Sequence, residues 1–245
     1  AAQPQALTIS GATHRLVQGL FDCQDLGAHT LKGIAEPVAL YQVMRPASSS
    51  TRFDVQLQQG LTPLQGRGAE LAQLLQRWQL ARGGRGQLVL LSGDAGIGKS
   101  RLVQALGQAT GDDGALRVSF RCSPFYANSP LYPVVDQLTR LVQIGADDGA
   151  SARIRRLEQF LEPLGLHDQH TLSLLAQLLS IPLPERLAGQ TIARDERKAL
   201  TLQALAGWLL RMAGAQPLLV VFEDLHWADP TTLELLTQLL GRLPA

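Results

Sequence analysis

An apolar run followed by a glycine-rich loop and a Lys-Ser pair occupies residues 87–100 of the chain. The loop 93–100 reads Gly-Asp-Ala-Gly-Ile-Gly-Lys-Ser and matches the pattern GxxxxGK[ST]. Its glycines allow the backbone to curl with its N–H groups turned inward, where they can bind phosphate oxygens. Lys99 can then reach the β- and γ-phosphates and Ser100 can bind Mg²⁺, beside the positive end of a helix dipole. This feature predicts a nucleoside-triphosphate site.

The sequence on either side of the loop favours a strand, a loop and a helix in that order. Residues 88–91 form a continuous apolar run typical of a buried strand. After the loop, Leu102, Val103 and Leu106 recur with helical spacing. An ordinary glycine-rich turn is the alternative interpretation, but it requires neither flanking pattern. The context therefore supports the phosphate-binding interpretation.

A second apolar run, residues 218–222, ends at Glu223 and Asp224. A phosphate loop needs a carboxylate that holds hydrated Mg²⁺, and open α/β sheets bind ligands at the carboxyl ends of their strands. Glu223 and Asp224 are therefore predicted as the catalytic acids and, with Ser100, as the Mg²⁺ ligands. A solvated turn that merely ends the strand is the alternative. The long separation between Ser100 and the acids predicts a helical insertion.

Strands and helices alternate along most of the chain, which is typical of a parallel α/β sheet covered by helices. The predicted fold is α/β, with a P-loop NTPase parallel sheet and a helical insertion, preceded by a small α+β region. Residues 45–52 have the composition of an exposed linker. The predicted strands are 7–10, 28–32, 38–44, 88–92, 116–121 and 218–222, and the predicted helices are 12–17, 69–82, the loop helix to about 109, a broken helical region over 131–213, and 230–242.

The segment 226–230, His-Trp-Ala-Asp-Pro, follows the acid pair at once. Asp229 before Pro230 is typical of a helix start, with Asp229 as the N-cap and Pro230 at the first helical position. Capping is therefore favoured for Asp229 over a direct part in chemistry. For His226, contact with a γ-phosphate and packing beneath the sheet edge both remain open.

Charge and composition argue against several classes of protein. The 22 Lys and Arg residues are balanced by 21 Asp and Glu residues, which gives no sign of binding to nucleic acid or to a membrane surface. The apolar runs are too short to span a membrane, and the first residues lack the features of a signal peptide. A cytoplasmic location is expected. The chain opens without Met, so a fragment of a longer protein is also expected.

Three segments resemble the Orc1-like AAA/STAND-type ATPase modules of bacterial signalling proteins. These are 66–71, the loop 93–102 and 221–230, and residues 121–125 and 129–133 fit the same group. The resemblance implies that the loop is a Walker A motif, that the acid pair belongs to Walker B, and that the nucleotide is ATP. It places Gly66 and Arg67 near the adenine. The nucleotide-binding residues would be Gly66, Arg67, Gly93, Asp94, Ala95, Gly96, Ile97, Gly98, Lys99, Ser100 and Arg101.

The first 45 residues resemble the carboxyl-terminal end of a class III adenylate/guanylate cyclase domain. The matching segments include 7–10, 31–33 and Tyr41. By that match Lys32 would contact the substrate triphosphate, while the cyclase's metal-binding aspartates would precede residue 1. The resemblance divides the chain into a cyclase remnant at 1–45, a linker at 46–60 and an ATPase domain at 61–245. The whole looks like the middle of a large regulator of the soluble adenylyl cyclase type.

Three functions follow as hypotheses. In the first, Mg·ATP controls an attached effector, and hydrolysis is slow because the acid order Glu–Asp departs from the Asp–Glu order of AAA enzymes. In the second, the parent protein is a cyclase that makes cyclic AMP and this module regulates it. In the third, the chain is a scaffold that binds ATP without hydrolysing it. The expected partners are ATP and the attached cyclase and downstream helical domains, with homo-oligomerisation left open.

Overall fold

The computed structural model divides the chain into two compact units, one within Ala1–Pro63 and the other within Leu64–Ala245. Each unit has its own sheet and is described by itself. The structure describes residues 6–19, 21–31, 33–34, 36–46, 64–111, 113–145, 147–187 and 193–243.

The described part of the first unit consists of a three-stranded antiparallel sheet and a short helix. Its strand order is β1-β3-β2, so the middle strand pairs with both of the others. Ser10 starts the helix, because its hydroxyl accepts a hydrogen bond from the Thr13 N–H. The helix is held against the sheet by the His14 ring, which stacks on Tyr41 with the centroids 3.9 Å apart. The elements are β1 (Leu7–Ser10), α1 (Gly11–Val17), β2 (Phe21–His29) and β3 (Val38–Pro46).

Two of the strands predicted for this unit are confirmed, and the strand predicted at 28–32 is wrong. The chain instead forms β2 over Phe21–His29. The register of β2 against β3 shifts between Asp22 and Cys23 and again between Asp25 and Gly27. Such irregularities break the alternation of apolar and polar residues by which a strand is found in a sequence. Lys32 and most of the predicted linker, residues 47–60, lie outside the described residues.

The second unit is predominantly helical around a small parallel sheet. Most of the helices predicted within 131–213 are confirmed, with breaks near Gly145, Pro163 and Pro182. The elements are α2 (Gly68–Arg82), α3 (Lys99–Gly111), β4 (Leu116–Arg121), α4 (Tyr132–Leu141), α5 (Ala150–Leu161), α6 (Gln169–Leu178), α7 (Arg194–Ala215), β5 (Leu218–Glu223) and α8 (Pro230–Leu240).

The parallel pair β4–β5 lies at the centre of the main hydrophobic core. The two strands are in register from Leu116 opposite Leu218 to Arg121 opposite Glu223. Phe120 is fully buried and meets the equally buried Trp208 of α7 edge to face, with the ring centroids 6.4 Å apart. The helical insertion between the strands therefore covers the sheet, as a parallel pair requires.

Residues 88–92 do not form a strand, contrary to the prediction for them. Within the described part of the second unit, no backbone ladder joins this segment to β4 or β5. Leu91 packs with a small cluster that includes Leu219 of β5, whereas Leu88, Val89 and Leu90 are 62%, 44% and 76% exposed. An apolar run is a strand only where a neighbouring backbone pairs with it, and here a side chain alone meets the core.

The architecture is thus mixed α/β, with a helical majority and a small parallel sheet, and it is consistent with a P-loop NTPase. Among the described residues, no helix is both long enough and apolar enough to cross a membrane.

Candidate functional site

The glycine-rich loop between residues 93 and 98 takes backbone conformations that favour glycine. Gly96 has φ 78° and Gly98 has φ 97°, which side chains with a Cβ rarely adopt. A Cβ built at either position would meet no atom within 4 Å, so the space beside the loop is open. Helix α3 begins directly after it, where the Leu102 N–H donates to the Gly98 carbonyl. The loop therefore presents a curled backbone, a helix N-terminus and free space together, as a phosphate group requires.

Lys99 closes the loop with its own ammonium group. Its Nζ donates to the carbonyl oxygens of Gly93 at 2.8 Å and Asp94 at 2.9 Å. Both contacts lie inside the predicted phosphate-binding segment, so the only ammonium of the motif is already turned toward the concave side of the loop. Ser100 follows on the first turn of α3 and is exposed.

Arg67 joins the segment before α2 to the phosphate loop. Its guanidinium donates through Nη2 to the Ile97 carbonyl at 3.0 Å and through Nη1 to Glu70 at 2.9 Å. Hydrogen bonding to the backbone and to Arg67 lowers the pKa of the Glu70 carboxyl. The structure thus brings Arg67 to the loop, and the place of Gly66 and Arg67 near the adenine stays a prediction. Gly66, just before it, has φ 71° and lets the chain turn there.

A cavity of about 720 Å³ lies beside the loop. Helix α2 forms one wall, the segment 88–93 forms another, and the loop with the start of α3 closes the end. The charged residues in its lining are Arg67, Glu70, Arg77 and Lys99. Gln73 and Arg77 were not predicted from the sequence, although their spacing from Glu70 along α2 places all three on one helix face. The acids Glu223 and Asp224 do not line this cavity.

Glu223, the first acid of the pair, is bound to Arg121. Arg121 Nη2 lies 2.9 Å and Nε 3.2 Å from Glu223 Oε2. The two residues are direct register partners in the parallel pair β4–β5, and the Cys122 N–H also donates to the Glu223 carbonyl at 3.0 Å. The prediction of the acid pair did not include Arg121. Both strands were expected, but the register that pairs Arg121 with Glu223 was not.

Asp224, the second acid, differs from Glu223 in exposure and in backbone conformation. Its side chain is exposed, and its backbone is left-handed with φ 54°. The Asp224 carbonyl accepts the Trp227 N–H at 2.9 Å, which starts a single 3₁₀ turn over Leu225–Trp227. His226 in that turn is exposed and its ring lies 5.0 Å from the Trp227 ring. His226 is therefore not packed beneath the sheet edge.

Asp229 caps α8, which confirms its predicted structural role. Its Oδ1 accepts the Thr231 and Thr232 N–H groups at 2.9 and 3.0 Å. Its Oδ2 accepts the Leu131 N–H at 3.1 Å, and Asp229 is only 3% exposed. The carboxylate thus ties the loop after β4 to the start of α8.

Cys122 directly follows Arg121 and is buried. Burial is the main cause, and the charges of Asp229 and Asp224 add to it, in raising the pKa of the Cys122 thiol to about 11. The thiol therefore stays protonated at neutral pH and does not act as a thiolate nucleophile.

The oxygen donors named for the metal fit Mg²⁺ that arrives with a nucleotide. A hydroxyl on Ser100 and carboxylates on Glu223 and Asp224 are hard oxygen ligands, and Mg²⁺ bound to phosphates commonly uses only one or two protein carboxylates. In the described part of the chain, no group of three or more His, Cys, Asp and Glu residues could hold a metal ion alone. The donor set suits a shared ion and not an independent metal centre.

Comparison with known proteins places the second unit in a family. Residues 63–245 match the model of the AAA ATPase domain. An uncharacterized protein of Rhizobium meliloti (strain 1021) is 28% identical over 233 residues, which are 95% of this chain and 22% of that protein. The chain thus spans about a fifth of that relative's length. No solved structure matches the chain.

Proposed function

The chain belongs to the AAA ATPase domain family, and on that premise we propose that its second unit binds Mg·ATP as a regulatory switch. The family indicates a nucleotide-binding P-loop ATPase. The finer proposal is that the bound nucleotide changes the arrangement of attached domains and hydrolyses slowly.

The observation that carries this proposal is the geometry of the loop 93–100. Glycines at left-handed φ values, an inward-turned lysine and a helix N-terminus occur within eight consecutive residues. A structural turn needs the glycines alone, whereas a phosphate site needs all three features.

Each site residue has a proposed role. Backbone N–H groups of the loop bind the phosphates, and Lys99 binds oxygens of the β- and γ-phosphates. Arg101, on the first turn of α3, completes the nucleotide-binding segment. Arg67 and Gly66 lie toward the adenine. Ser100 and the two acids hold Mg²⁺, which supplies charge neutralisation at the phosphates when it is bound. Glu223 and Asp224 are the candidates for the general base.

The proposal for the first unit is that it is the end of a nucleotide cyclase domain, with boundaries at 1–45 and a linker at 46–60. In that case the parent protein makes cyclic AMP and the ATPase unit regulates it. Its motivation is the sequence resemblance of residues 7–41. A scaffold that binds ATP without hydrolysis is the competing function. Release of phosphate by the chain with Mg²⁺ separates the switch from the scaffold.

The proposed ATP site is tested with Lys99→Ala. Loss of the ammonium removes charge-assisted hydrogen bonds worth about 1.5–3 kcal/mol each, so affinity for a fluorescent ATP analogue should fall at least about a hundredfold. Lys198→Ala is the matched control, because it also removes a lysine but breaks only a surface ion pair with Glu234 at 2.7 Å. Lys198→Ala should bind the analogue as the unchanged chain does.

Equal affinity of Lys99→Ala and the unchanged chain would overturn the assignment of the loop. An equal loss of affinity in Lys198→Ala would show that removal of any lysine has this effect, and it would also overturn the assignment of the loop.

A further inference from the structure

Arg121 and Glu223 meet because the topology places them side by side. Each is the last residue of its strand, and the parallel register of β4 and β5 pairs them directly. Their contact therefore does not depend on a flexible loop. Arg121 has 28% and Glu223 14% of its side chain exposed, so the pair is largely shielded from water.

The contact is directed at one carboxylate oxygen. Two N–H donors of Arg121 reach Glu223 Oε2, at 2.9 and 3.2 Å. A guanidinium is planar and holds its donors in a fixed arrangement, so it fixes the rotation of the carboxylate that it binds. The described contacts therefore hold the carboxylate through Oε2.

The pair also lowers the negative charge at the end of the sheet. Glu223 is followed directly by Asp224, and Asp229 acts on the same Cys122 thiol as Asp224 does. Neighbouring carboxylates repel one another. The Arg121 guanidinium places a positive charge beside Glu223 and holds its carboxylate through two N–H donors.

We propose that Arg121 is a positioning residue that holds Glu223 in the orientation in which Oε1 faces the hydrated Mg²⁺ of bound ATP. This inference rests on the proposed ATP site. It assigns Arg121 an effect on the metal through Glu223 and no contact with the nucleotide. Residues that orient a metal-binding carboxylate typically change metal affinity by about 10- to 100-fold when they are replaced.

The test compares nucleotide binding by the full 245-residue chain with and without Mg²⁺. A fluorescent ATP analogue is bound first in EDTA and then at increasing Mg²⁺, and the Mg²⁺ concentration that gives half of the change in affinity is measured. In Arg121→Gln this concentration should rise by at least about tenfold, while the affinity in EDTA stays within about twofold. A merely structural ion pair would alter the two affinities together through the stability of the unit.

Arg117→Gln is the matched control. Arg117 lies on the same strand and the same face, four residues before Arg121, and its described hydrogen bonds go to Ser119 and Gln104. Its replacement also removes one arginine from β4 without touching the acid pair. The Mg²⁺ requirement of Arg117→Gln should equal that of the unchanged chain.

Arg121→Lys keeps the result interpretable if the Gln variant does not fold. Lysine retains the charge and a donor but lacks the planar fork, so its Mg²⁺ requirement should lie between those of the unchanged chain and Arg121→Gln. Thermal melting of each variant reports the fold separately. Where only the Lys variant melts cooperatively, its raised Mg²⁺ requirement supports the proposal and an unchanged requirement overturns it.

Two results would overturn the role of Arg121. An unchanged or lower Mg²⁺ requirement in Arg121→Gln, with an unchanged chain that does respond to Mg²⁺, would refute the role of Arg121 alone. Binding of the analogue that ignores Mg²⁺, or no binding by the unchanged chain, would refute the Mg·ATP site and this inference together.

Discussion

Asp229 shows how much structure a single carboxylate can organise. It is buried, it accepts three backbone N–H groups, and it also accepts the Thr232 hydroxyl. Two of the backbone donors belong to the first turn of α8, and the third belongs to Leu131, whose φ of 57° is unusual for a residue with a Cβ. The same side chain thus starts one helix and holds the strained entrance of another.

Asp229→Ala is therefore expected to destabilise the second unit by about 3 kcal/mol, through the lost cap and the buried N–H groups left without acceptors. Asp168→Ala is the matched control. Asp168 caps α6 but is exposed, and its carboxylate accepts the backbone N–H of Thr171 at 2.8 Å. Asp168→Ala should lower the free energy of unfolding by only about 1 kcal/mol. Chemical denaturation measures both.

If the two substitutions lower the free energy of unfolding by the same amount, the hydrogen bond from Leu131 adds no stability, and Asp229 acts only as an N-cap.

Sequence patterns predicted the residues whose role is local. The cap Asp229 sits three residues before the Thr232 N–H that it binds, whereas the phosphate contact of Lys99 stays a prediction. Arg121 was not predicted, because its partner is 102 residues away. Finding it requires the register of two strands, which no local pattern contains.

Among the elements, helix α3 illustrates a packing constraint within the phosphate-binding unit. Arg117 of β4 lies across this helix and donates to its Gln104 side chain at 3.0 Å. A Cβ at Gly107 would stand 2.5 Å from Arg117 Nη1 and 3.2 Å from its Cζ. Because Gly107 has no side chain, the Arg117 guanidinium can lie against the surface of α3 at this position.

Gly107→Ala should therefore leave the free energy of unfolding nearly unchanged or lower it, because the added methyl group displaces Arg117 and breaks its hydrogen bond to Gln104. Gly207→Ala on α7 is the matched control, since a Cβ there would meet nothing within 4 Å. It should stabilise the unit by about 1 kcal/mol, the usual advantage of Ala over Gly inside a helix. Melting temperatures of the two variants check this, and equal gains would show that Arg117 moves without cost.

The elements that were predicted correctly have their cause within their own sequence. Strand β4 alternates apolar and polar residues and the helix of the phosphate loop follows from the loop itself, whereas β5 is a continuous apolar run. The segment 88–92 has the same composition but no pairing partner among the described residues. Composition cannot predict that difference, because a ladder depends on a second segment.

At the scale of the whole molecule, the second unit is a mostly helical body around two parallel strands. Its proposed acids differ from the order of AAA enzymes. If Glu223 serves Mg²⁺, the base is Asp224, which is one methylene shorter than glutamate and is exposed to water. A displacement of about 1 Å can lower a rate by roughly a hundredfold, and a wet site stabilises developing charge poorly.

ATP turnover by the chain is therefore expected to stay well below about 1 per second, the low end for phosphoryl-transfer enzymes. Asp224→Glu restores the longer side chain and should increase the rate. Single-turnover measurement of phosphate release on both chains is the check. Turnover by the unchanged chain within the range of roughly 1–100 per second would contradict the switch.

The two carbonyl contacts of Lys99 affect the enthalpy of nucleotide binding and the ordering of the loop that binding requires. Lys99 donates to the carbonyl oxygens of Gly93 and Asp94, so these two oxygens take the place that phosphate oxygens would take at its ammonium group. A phosphate group then exchanges these bonds for its own and does not simply add new ones. The net enthalpy of capture is smaller than the count of phosphate contacts would give. The same contacts hold the loop in its curled conformation before the nucleotide binds, so the entropy cost of ordering the loop on binding is small.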